Sequence, residues 1–582
     1  MGADFDTIVI GSGAGGMTAA VALAQAGQKV LVLEQHDVPG GWCHSFTLGG
    51  YHFSPGVHYI GEVAPGGRLA RVYDGLGVAQ DLTFIELNPD GFDHVLLGSG
   101  PSQVRFDIPK GRQALEDRLV DRFPSDARGI RNYLGAVQRI GDQLDVMGKT
   151  HTLGGKLALP WRARTLLSHL PRTLDGMLDH HGVRDPACRA VLSIQAGDHG
   201  MAPSECPAVL HAIVQHHYFG GGFYPQGGGF AIPRAFNRAL KRHGGEVRLK
   251  ARVDRILIEG EGRKKKAIGV RLADGTEIRA KRIVSNADPE ITFNRLVGAE
   301  HLGGRLRRRV EKTTYGVSCL SLFMATDADV RGLGLDSGNW WYSRTTDVGT
   351  QYSAKRAAHS GSSSHFDAIE DGQFLTVTTL KDPTKLGKNG HHTMESFAMV
   401  DYAAFERWAH SEFGRRPEDY AALKETLTAR MIKQLDLIAP GLSERIVFAD
   451  LGTPLTNEHY VAATRGNLYG TEKRLGQLGP WAFAPKTQIP GLYLCGASTV
   501  SGHGVMGATL SGLDAARAVL GCRTQDLLHQ KGPAARILNA EQLATGASVS
   551  DLRILAREER EALARDDLKT DRADAGNLAA HA

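Results

Sequence analysis

The sequence predicts an α/β fold, and three observations carry the prediction. A strand, a glycine-rich turn, a helix and a second strand follow one another within the first 34 residues. A second strand, glycine-rich turn and helix recur over residues 491–520. Between the two, strand-like stretches alternate with helical stripes, the pattern of a layered α/β chain.

Taken in order, Thr7–Ile10 is β-branched and apolar, as a buried strand requires, and Gly11 to Gly16 makes the turn. Met17–Ala26, rich in Ala and Leu, reads as the helix and Lys29–Leu33 as the second strand. Further on, Arg128–Val146 sets Ile130, Leu134, Val137, Ile140 and Leu144 on one helical stripe. The stretch Leu157–Leu178 interleaves Trp161, Leu166, Leu167, Leu170 and Leu174 with basic Arg162, Arg164 and Arg172, preceded by Lys156. From Glu246 to Asn286 the period becomes that of strands: Arg252–Ile258, Ala267–Leu272 and Glu277–Val284, with turns at Gly260–Gly262 and Asp274-Gly275. Lys264–Lys266 reads as a solvated hairpin tip. A second strand-rich block covers Cys319–Ala325, Trp340–Tyr342, Phe374–Leu380 and Met394–Val400. The closing unit is a strand at Gly491–Cys495 and a helix from Val505 to Leu520. After Cys522 the chain reads as a polar, helix-prone tail with Arg553, Arg557, Glu558, Glu559 and Arg560, expected to be loosely attached.

Composition excludes several classes. Of 582 residues, 42% are hydrophobic and 23% charged, which suits a folded chain with a sizeable core rather than a disordered one. Glycine is in excess, 71 residues, without a collagen period, so the surplus belongs in tight turns and close backbone approaches. The net charge of +5 comes from 68 basic and 63 acidic residues and forms no concentrated basic block, which argues against a nucleic-acid partner. Cys43, Cys188, Cys206, Cys319, Cys495 and Cys522 lack a CxxC pair, against both a disulfide framework and a structural zinc site; no metal is expected. A reducing cytoplasm is the simplest reading. No apolar run approaches the ~20 residues a membrane span needs.

The first turn, Gly11-Ser12-Gly13-Ala14-Gly15-Gly16, fits the dinucleotide fingerprint in its proper context. Gly11 permits the turn, Gly13 lets backbone approach a pyrophosphate, and Gly16 lets helix and strand pack closely. Glu34 ends the second strand where a carboxylate meets ribose hydroxyls. The Gly40-Gly41 doublet that follows favours FAD over NAD. At the far end, Gly496-Ala497 and Gly504-Val505-Met506 introduce a helix whose N-terminus can stabilise negative charge on a reduced flavin.

These residues resemble the phytoene desaturase, carotenoid isomerase and retinol saturase group of flavoproteins. Glu34-Gln35-His36, Gly40-Gly41, Cys43-His44 and Gly56–Gly61 are most similar to the retinol saturase branch. Tyr224–Gly228, Ser285–Pro289, Lys381-Asp382-Pro383, Thr453–Thr456 with Tyr469-Gly470, and Gly491–Gly512 extend the likeness over roughly residues 5–521. Two places depart from the pattern: Ser54-Pro55 stand before Gly56, and Trp42 follows the glycine doublet.

The resemblance implies a discontinuous, Rossmann-like FAD domain of the GR2 type over residues 1–70, 224–300 and 485–522. Residues 71–223 and 301–484 would form an α+β substrate domain of mixed sheet and helices, and 523–582 the polar helical tail. It places Gly11, Ser12, Gly13, Ala14, Gly15, Gly16, Glu34, Gln35, Gly40, Gly41, Trp42, Val253, Gly496, Ala497, Gly504, Val505 and Met506 at the cofactor. It implies hydrogen added to or removed from C–C bonds of a long lipophilic isoprenoid or polyene, with a diffusible electron donor or acceptor. Flavin-dependent isomerisation, or a non-catalytic lipid escort on the same fold, stand as alternatives. His58, Tyr59 and His503 are the candidate proton donors. His216-His217-Tyr218 either line a tunnel or pack a helix end, and Cys43 and Cys495 read as packing residues. The Leu157–Leu178 stretch either covers the core or rests peripherally on a membrane.

Overall fold

The computed structural model describes residues 3–149, 159–352, 366–387, 389–530 and 532–546. Leu157 and the charged tail residues from Arg553 onward lie outside them.

Strand Phe5–Ile10 sits at the middle of a seven-stranded sheet. It pairs in parallel with Val30–Leu33 on one side and with Glu277–Ser285 on the other. Leu492–Leu494 adds to Glu277–Ser285 in parallel, Glu246–Arg248 extends the opposite side, and Val253–Glu259 with Lys266–Leu272 form an antiparallel extension. Strands from the start, middle and end of the sequence therefore share one sheet. The side-chain period of two sorts its residues: Val9 and Val32 enter the core on one face, Ile8, Ile10, Leu31 and Leu33 the core on the other. Helices Ala14–Gln25, Ala231–Arg242 and Gly504–Leu520 cover the first face.

The first helix begins at Ala14, three residues before the expected Met17, and so takes in Gly15 and Gly16. Glycine costs helix stability there, roughly 1 kcal/mol per residue, and close packing requires it. A Cβ on Gly16 would lie 2.1 Å from the Gly11 carbonyl, and one on Gly512 of the closing helix 2.3 Å from the Gly15 carbonyl. The two helices cross where neither can carry a side chain.

A second seven-stranded sheet has the order Ile446–Gly452, Ser318–Thr326, His392–Val400, Gly372–Val377, Asn339–Ser343, Asp93–Leu97, Val104–Ile108. All its pairings are antiparallel except that between Asn339–Ser343 and Asp93–Leu97. The strand expected to run to Leu380 stops at Val377; Thr378–Lys381 turns into a short helix that buries Lys381. Helices on one face, including Ala127–Lys149, close a core around Ile130, Tyr133, Leu134 and Val137. Leu166, Leu174 and Leu178 join that core, while Trp161 is 80% and Leu167 45% exposed. No helix among the described residues is long and apolar enough to cross a membrane.

The tail requires a correction. Arg536–Asn539 forms a strand parallel to Thr83–Glu86, completing a three-stranded sheet with Phe223–Pro225. Leu527 and Ala540 are buried, and Glu541 accepts from Arg331 and the Ser337 amide. Residues 523–530 and 532–546 are thus built into the molecule, where a loosely attached helical tail was expected.

Candidate active site

One cavity of about 370 Å³ runs through the molecule between the two large sheets' side chains and loops. Its walls carry residues from both glycine clusters, and at the far side from the second sheet.

At one end, the Ser12 amide and hydroxyl donate to Glu34 Oε2 at 2.9 and 2.6 Å, and the His36 amide to Oε1 at 2.9 Å. The Ala251 amide donates to the Glu34 carbonyl at 2.8 Å, which brings Val253 alongside. Next along the cavity lie Gly11, Ser12, Gly13, Ala14 and Gly15. Gly13 caps the first helix without any side-chain hydrogen bond, and its first turn holds no acidic residue. Its leading N–H groups and positive dipole end therefore face the cavity unpaired by a side chain. Gln35, Gly40, Gly41 and Trp42 form the opposite wall. Gly40 at φ 129° adopts a backbone conformation L side chains rarely take, and a Cβ there would also strike Pro233 at 2.8 Å.

Gly496, Ala497, Gly504 and Val505 border the cavity from the closing segment. Gly16 and Met506 do not: Gly16 packs on Gly11, and Met506 packs against the core. Asn286, unassigned from sequence, stands where the segments meet. A Cβ on Gly13 would lie 2.7 Å from its Nδ2, and a Cβ on Gly15 2.7 Å from its Oδ1. One departure from the family pattern, Trp42, lies against Gly56, the residue that follows the other: a Cβ on Gly56 would lie 2.7 Å from the Trp42 carbonyl. Ser54 is locked in place, its amide donating to Glu395 at 2.6 Å and its hydroxyl accepting from the Gly229 amide at 3.0 Å.

The far end is apolar. Trp341, Phe374 and Phe397 line it and stand in one cross-strand row, Trp341 opposite Phe374 and Phe374 opposite Phe397. Met399, two residues along the strand, shares the same face. His58 packs on Phe397 at 4.6 Å between ring centroids.

The three candidate proton donors occupy different settings. His58 Nε2 lies 2.9 Å from Oε2 of Glu395, which is fully buried. Tyr59 donates to Asp198 at 2.7 Å; burial, with the charges of Asp198 and Asp93, raises its phenol well above the ordinary value, so it stays protonated. His503 uses Nε2–H on the Asp198 carbonyl at 2.9 Å, and its Nδ1 is buried without a partner among the described residues. Burial pushes His503 down to about 3, so the ring is neutral and has no second proton to give. His58 and Tyr59 border the cavity; His503 stands behind the wall.

Residues that sequence reading left out complete the picture. Asp198 borders the cavity, and burial, then the neighbouring charge of Asp93, raise its carboxyl to about 8. Lys381 donates to the His58 carbonyl at 2.6 Å and to Asn339, and burial lowers it to about 7. Lys473 donates to the Ala497 carbonyl and is likewise lowered by burial to about 7. Of the three, Lys381 alone lies in a segment that carries the family resemblance, Lys381-Asp382-Pro383. His217 accepts from the Gly61 amide at 2.8 Å, and Tyr218 stacks on Tyr59 at 4.3 Å. With His216 they pack a helix end and do not border the cavity. All six cysteines are free thiols; burial pushes Cys43 up to about 12 and raises Cys495, leaving both inert. Away from the cavity, His169, His180 and His181 cluster, but His169 and His181 meet Nε2 to Nε2 at 3.0 Å with rings 13° from parallel, the geometry of one N–H···N hydrogen bond.

The cradle fits a flavin dinucleotide. Unpaired helix-end amides beside glycines suit a pyrophosphate, a buried carboxylate suits a ribose, and the cavity continues into an apolar chamber.

Comparison with known proteins agrees. The family model described as flavin containing amine oxidoreductase matches residues 14–371. The chain is 30% identical over 510 residues to all-trans-retinol 13,14-reductase of Danio rerio, covering 85% of this chain and 82% of that protein. It is 28% identical over 553 residues to chloroplastic prolycopene isomerase of Daucus carota, covering 91% of this chain and 82% of that protein. The solved structure of putrescine oxidase bound to putrescine shares the fold at a TM-score of 0.58 and 16% identity, over 89% of this chain and 99% of that one.

Proposed function

Because the chain belongs to the flavin containing amine oxidoreductase family and is an FAD-dependent oxidoreductase, we propose that it adds hydrogen across a C=C bond of a long lipophilic polyene or isoprenoid. The observation that carries this reading is the apolar row of Trp341, Phe374 and Phe397 at the end of the cavity that begins at the glycine loop. An extended hydrocarbon wants what is there: aromatic faces and a thioether.

In this reading the amides of Gly11–Gly15 hold the pyrophosphate, Glu34 holds the ribose and Val253 packs beside the adenosine half. Gln35, Gly40, Gly41 and Trp42 cover the dinucleotide, and Gly496, Ala497, Gly504 and Val505 meet the ring end. The division into a cofactor domain, residues 1–70, 224–300 and 485–522, and a substrate domain, 71–223 and 301–484, follows from the same assignment. Bound FAD supplies hydride exchange with a carbon held about 3–3.5 Å away. The protein's own residues orient the polyene along the aromatic row and exclude water from it. His58 is fixed by Glu395 and Phe397, so its ring can position one face of the substrate. A diffusible partner supplies electrons. Trp161 and Leu167, both exposed and flanked by Arg162 and Arg164, are the surface through which the enzyme would touch a membrane peripherally and receive a lipid.

Isomerisation is the second reading, favoured by the likeness to prolycopene isomerase. One experiment separates the two. The holoprotein is photoreduced anaerobically and mixed with retinoids, carotenoid precursors or unsaturated acyl lipids. Reoxidation of the flavin with one saturated product per flavin supports reduction; an isomerised product with the flavin still reduced supports the alternative. Failure of every polyene to change at all overturns both.

A further inference from the structure

We propose that Asp198 is the acid that delivers the proton accompanying C=C reduction, with Tyr59 as its positioning residue. The proposal rests on the reading of the site as a C=C reductase and names a group that reading leaves open.

Saturation needs two electrons with one hydrogen as hydride and a second hydrogen as a proton. Reduced FAD accounts for the first. For the second, the acid must border the cavity, hold a proton at neutral pH, and be able to release it. His503 is neutral with its one N–H committed to the Asp198 carbonyl. Tyr59 holds its proton too firmly, because burial first and the neighbouring acidic groups second raise its phenol well above the ordinary value. Asp198 meets all three conditions. It ends the short helix Ile194–Asp198, which fixes its side chain at the cavity wall.

Its protonation follows from an unequal pair. Tyr59 Oη lies 2.7 Å from Asp198 and 3.4 Å from Asp93. Asp93 is fully buried and receives three further donors: Asn339 Nδ2 at 3.0 Å, Trp341 Nε1 at 2.9 Å and Gln195 Nε2 at 2.9 Å. It also feels the Lys381 ammonium. Among the described residues, Asp198 has the Tyr59 hydroxyl alone. When two buried carboxylates share a site, the better-solvated one takes the charge and the other keeps the proton. Burial raises Asp93 as well, but its donors and the Lys381 ammonium work against that rise, so of the two Asp93 carries the charge more readily and Asp198 keeps the proton. The groups facing Asp198 are Tyr59, Tyr218, Tyr352, Tyr469 and Asp93, with His503 on its carbonyl. Among these groups none is a cation, so nothing there pulls the proton off.

The step balances. One alkene carbon takes the hydride, its neighbour takes the proton from the Asp198 O–H, the C=C π bond becomes two C–H bonds, and Asp198 is left as a carboxylate that regains a proton from solvent before the next turnover.

The test uses FAD-loaded protein labelled with 13C-aspartate, followed by infrared spectroscopy against pH. A protonated-carboxyl C=O band should disappear with a midpoint of about 8 and be missing in Asp198→Asn. Asp93→Asn should move the midpoint down, because it removes a repelling charge, and Tyr59→Phe should move it up, because it removes the hydrogen bond that favours the carboxylate. These opposite shifts identify the band even if Asp198→Asn fails to load FAD. With a substrate that reoxidises the wild-type flavin, Asp198→Asn should slow reoxidation by about 10²–10⁴-fold, while keeping FAD content. Wild-type reoxidation should itself fall as pH rises through 8. No titrating carboxyl band, unmoved midpoints in both neighbour variants, or full-speed Asp198→Asn overturns the proposal. If no polyene reoxidises wild-type flavin, the C=C reductase reading fails, and the infrared titration still decides whether Asp198 holds the proton.

Discussion

A Cβ placed on Gly15 would lie 2.7 Å from Oδ1 of Asn286, and also 2.9 Å from the Gly496 amide and 3.0 Å from the Ala508 carbonyl. The opening helix, the end of strand Glu277–Ser285 and the closing segment thus converge on one missing side chain. Gly15→Ala is expected to push these three apart at a cost of about 1–3 kcal/mol. That weakens FAD binding by roughly 10–100-fold, measured as flavin retained after dialysis. Flavin content equal to wild type would contradict the assignment of this loop to the cofactor.

What the sequence made legible follows from this kind of constraint. Gly11, Gly13, Gly15, Gly16, Gly40 and Gly496 stand out because each answers a local backbone demand, a turn or a close approach, which a single residue type satisfies. Asp93, Asp198 and Glu395 do not stand out, since their roles exist only in pairs. Tyr59 and Asp198 are 139 positions apart and His58 and Glu395 are 337 apart. An aspartate in Gln195–Gly200 carries no mark of burial; the mark appears only once the sheet puts Tyr59 and Asp93 beside it. The strand Arg536–Asn539 was hidden for the same reason. It is four residues long, and its partner Thr83–Glu86 lies at the other end of the chain.

That strand makes truncation costly. Ending the chain at Cys522 removes the edge strand from Thr83–Glu86, uncovers the core around Leu527 and unpairs Arg331. The loss is on the order of 2–4 kcal/mol, and it lowers the melting temperature by several degrees. FAD-loaded full-length and shortened chains compared by differential scanning fluorimetry check this; identical melting would show that the segment contributes nothing.

Lys473 is buried with a carbonyl and a hydroxyl as partners, and burial alone sets its low proton affinity. A cation kept at the Ala497 carbonyl has a use if negative charge develops on the ring end of the cofactor. Lys473→Met is therefore expected to lower the flavin reduction potential. Since the ammonium loses its proton as pH rises through about 7, the difference from wild type should be largest near pH 6 and vanish near pH 9. Potentials from dye equilibration across that range give the answer, and a difference independent of pH would assign the effect to packing.

His94 provides a stability prediction away from the cofactor. Its ring is buried, with Nδ1 2.7 Å from Asp107 and Nε2 2.8 Å from Asp336, and it stacks on Trp340 at 4.2 Å. Burial opposes its charge, but the two carboxylates win and raise the imidazolium to about 9. A folded value above the unfolded one stabilises the protein fully below the unfolded value near 6.5 and loses that contribution as pH climbs through 9. The carboxylates add an acid limit: Asp107 is held down to about 2 and Asp336 is also lowered, so their share is present above the ordinary carboxylate value and lost as pH falls toward 2. Asparagine or glutamine at 94 keeps a hydrogen bond without the charge. His94→Gln should then cost on the order of 3 kcal/mol at pH 6 and much less at pH 10, read from urea denaturation at both values. An equal cost at the two pH values would mean that His94 acts through its stacking on Trp340 and not through its proton.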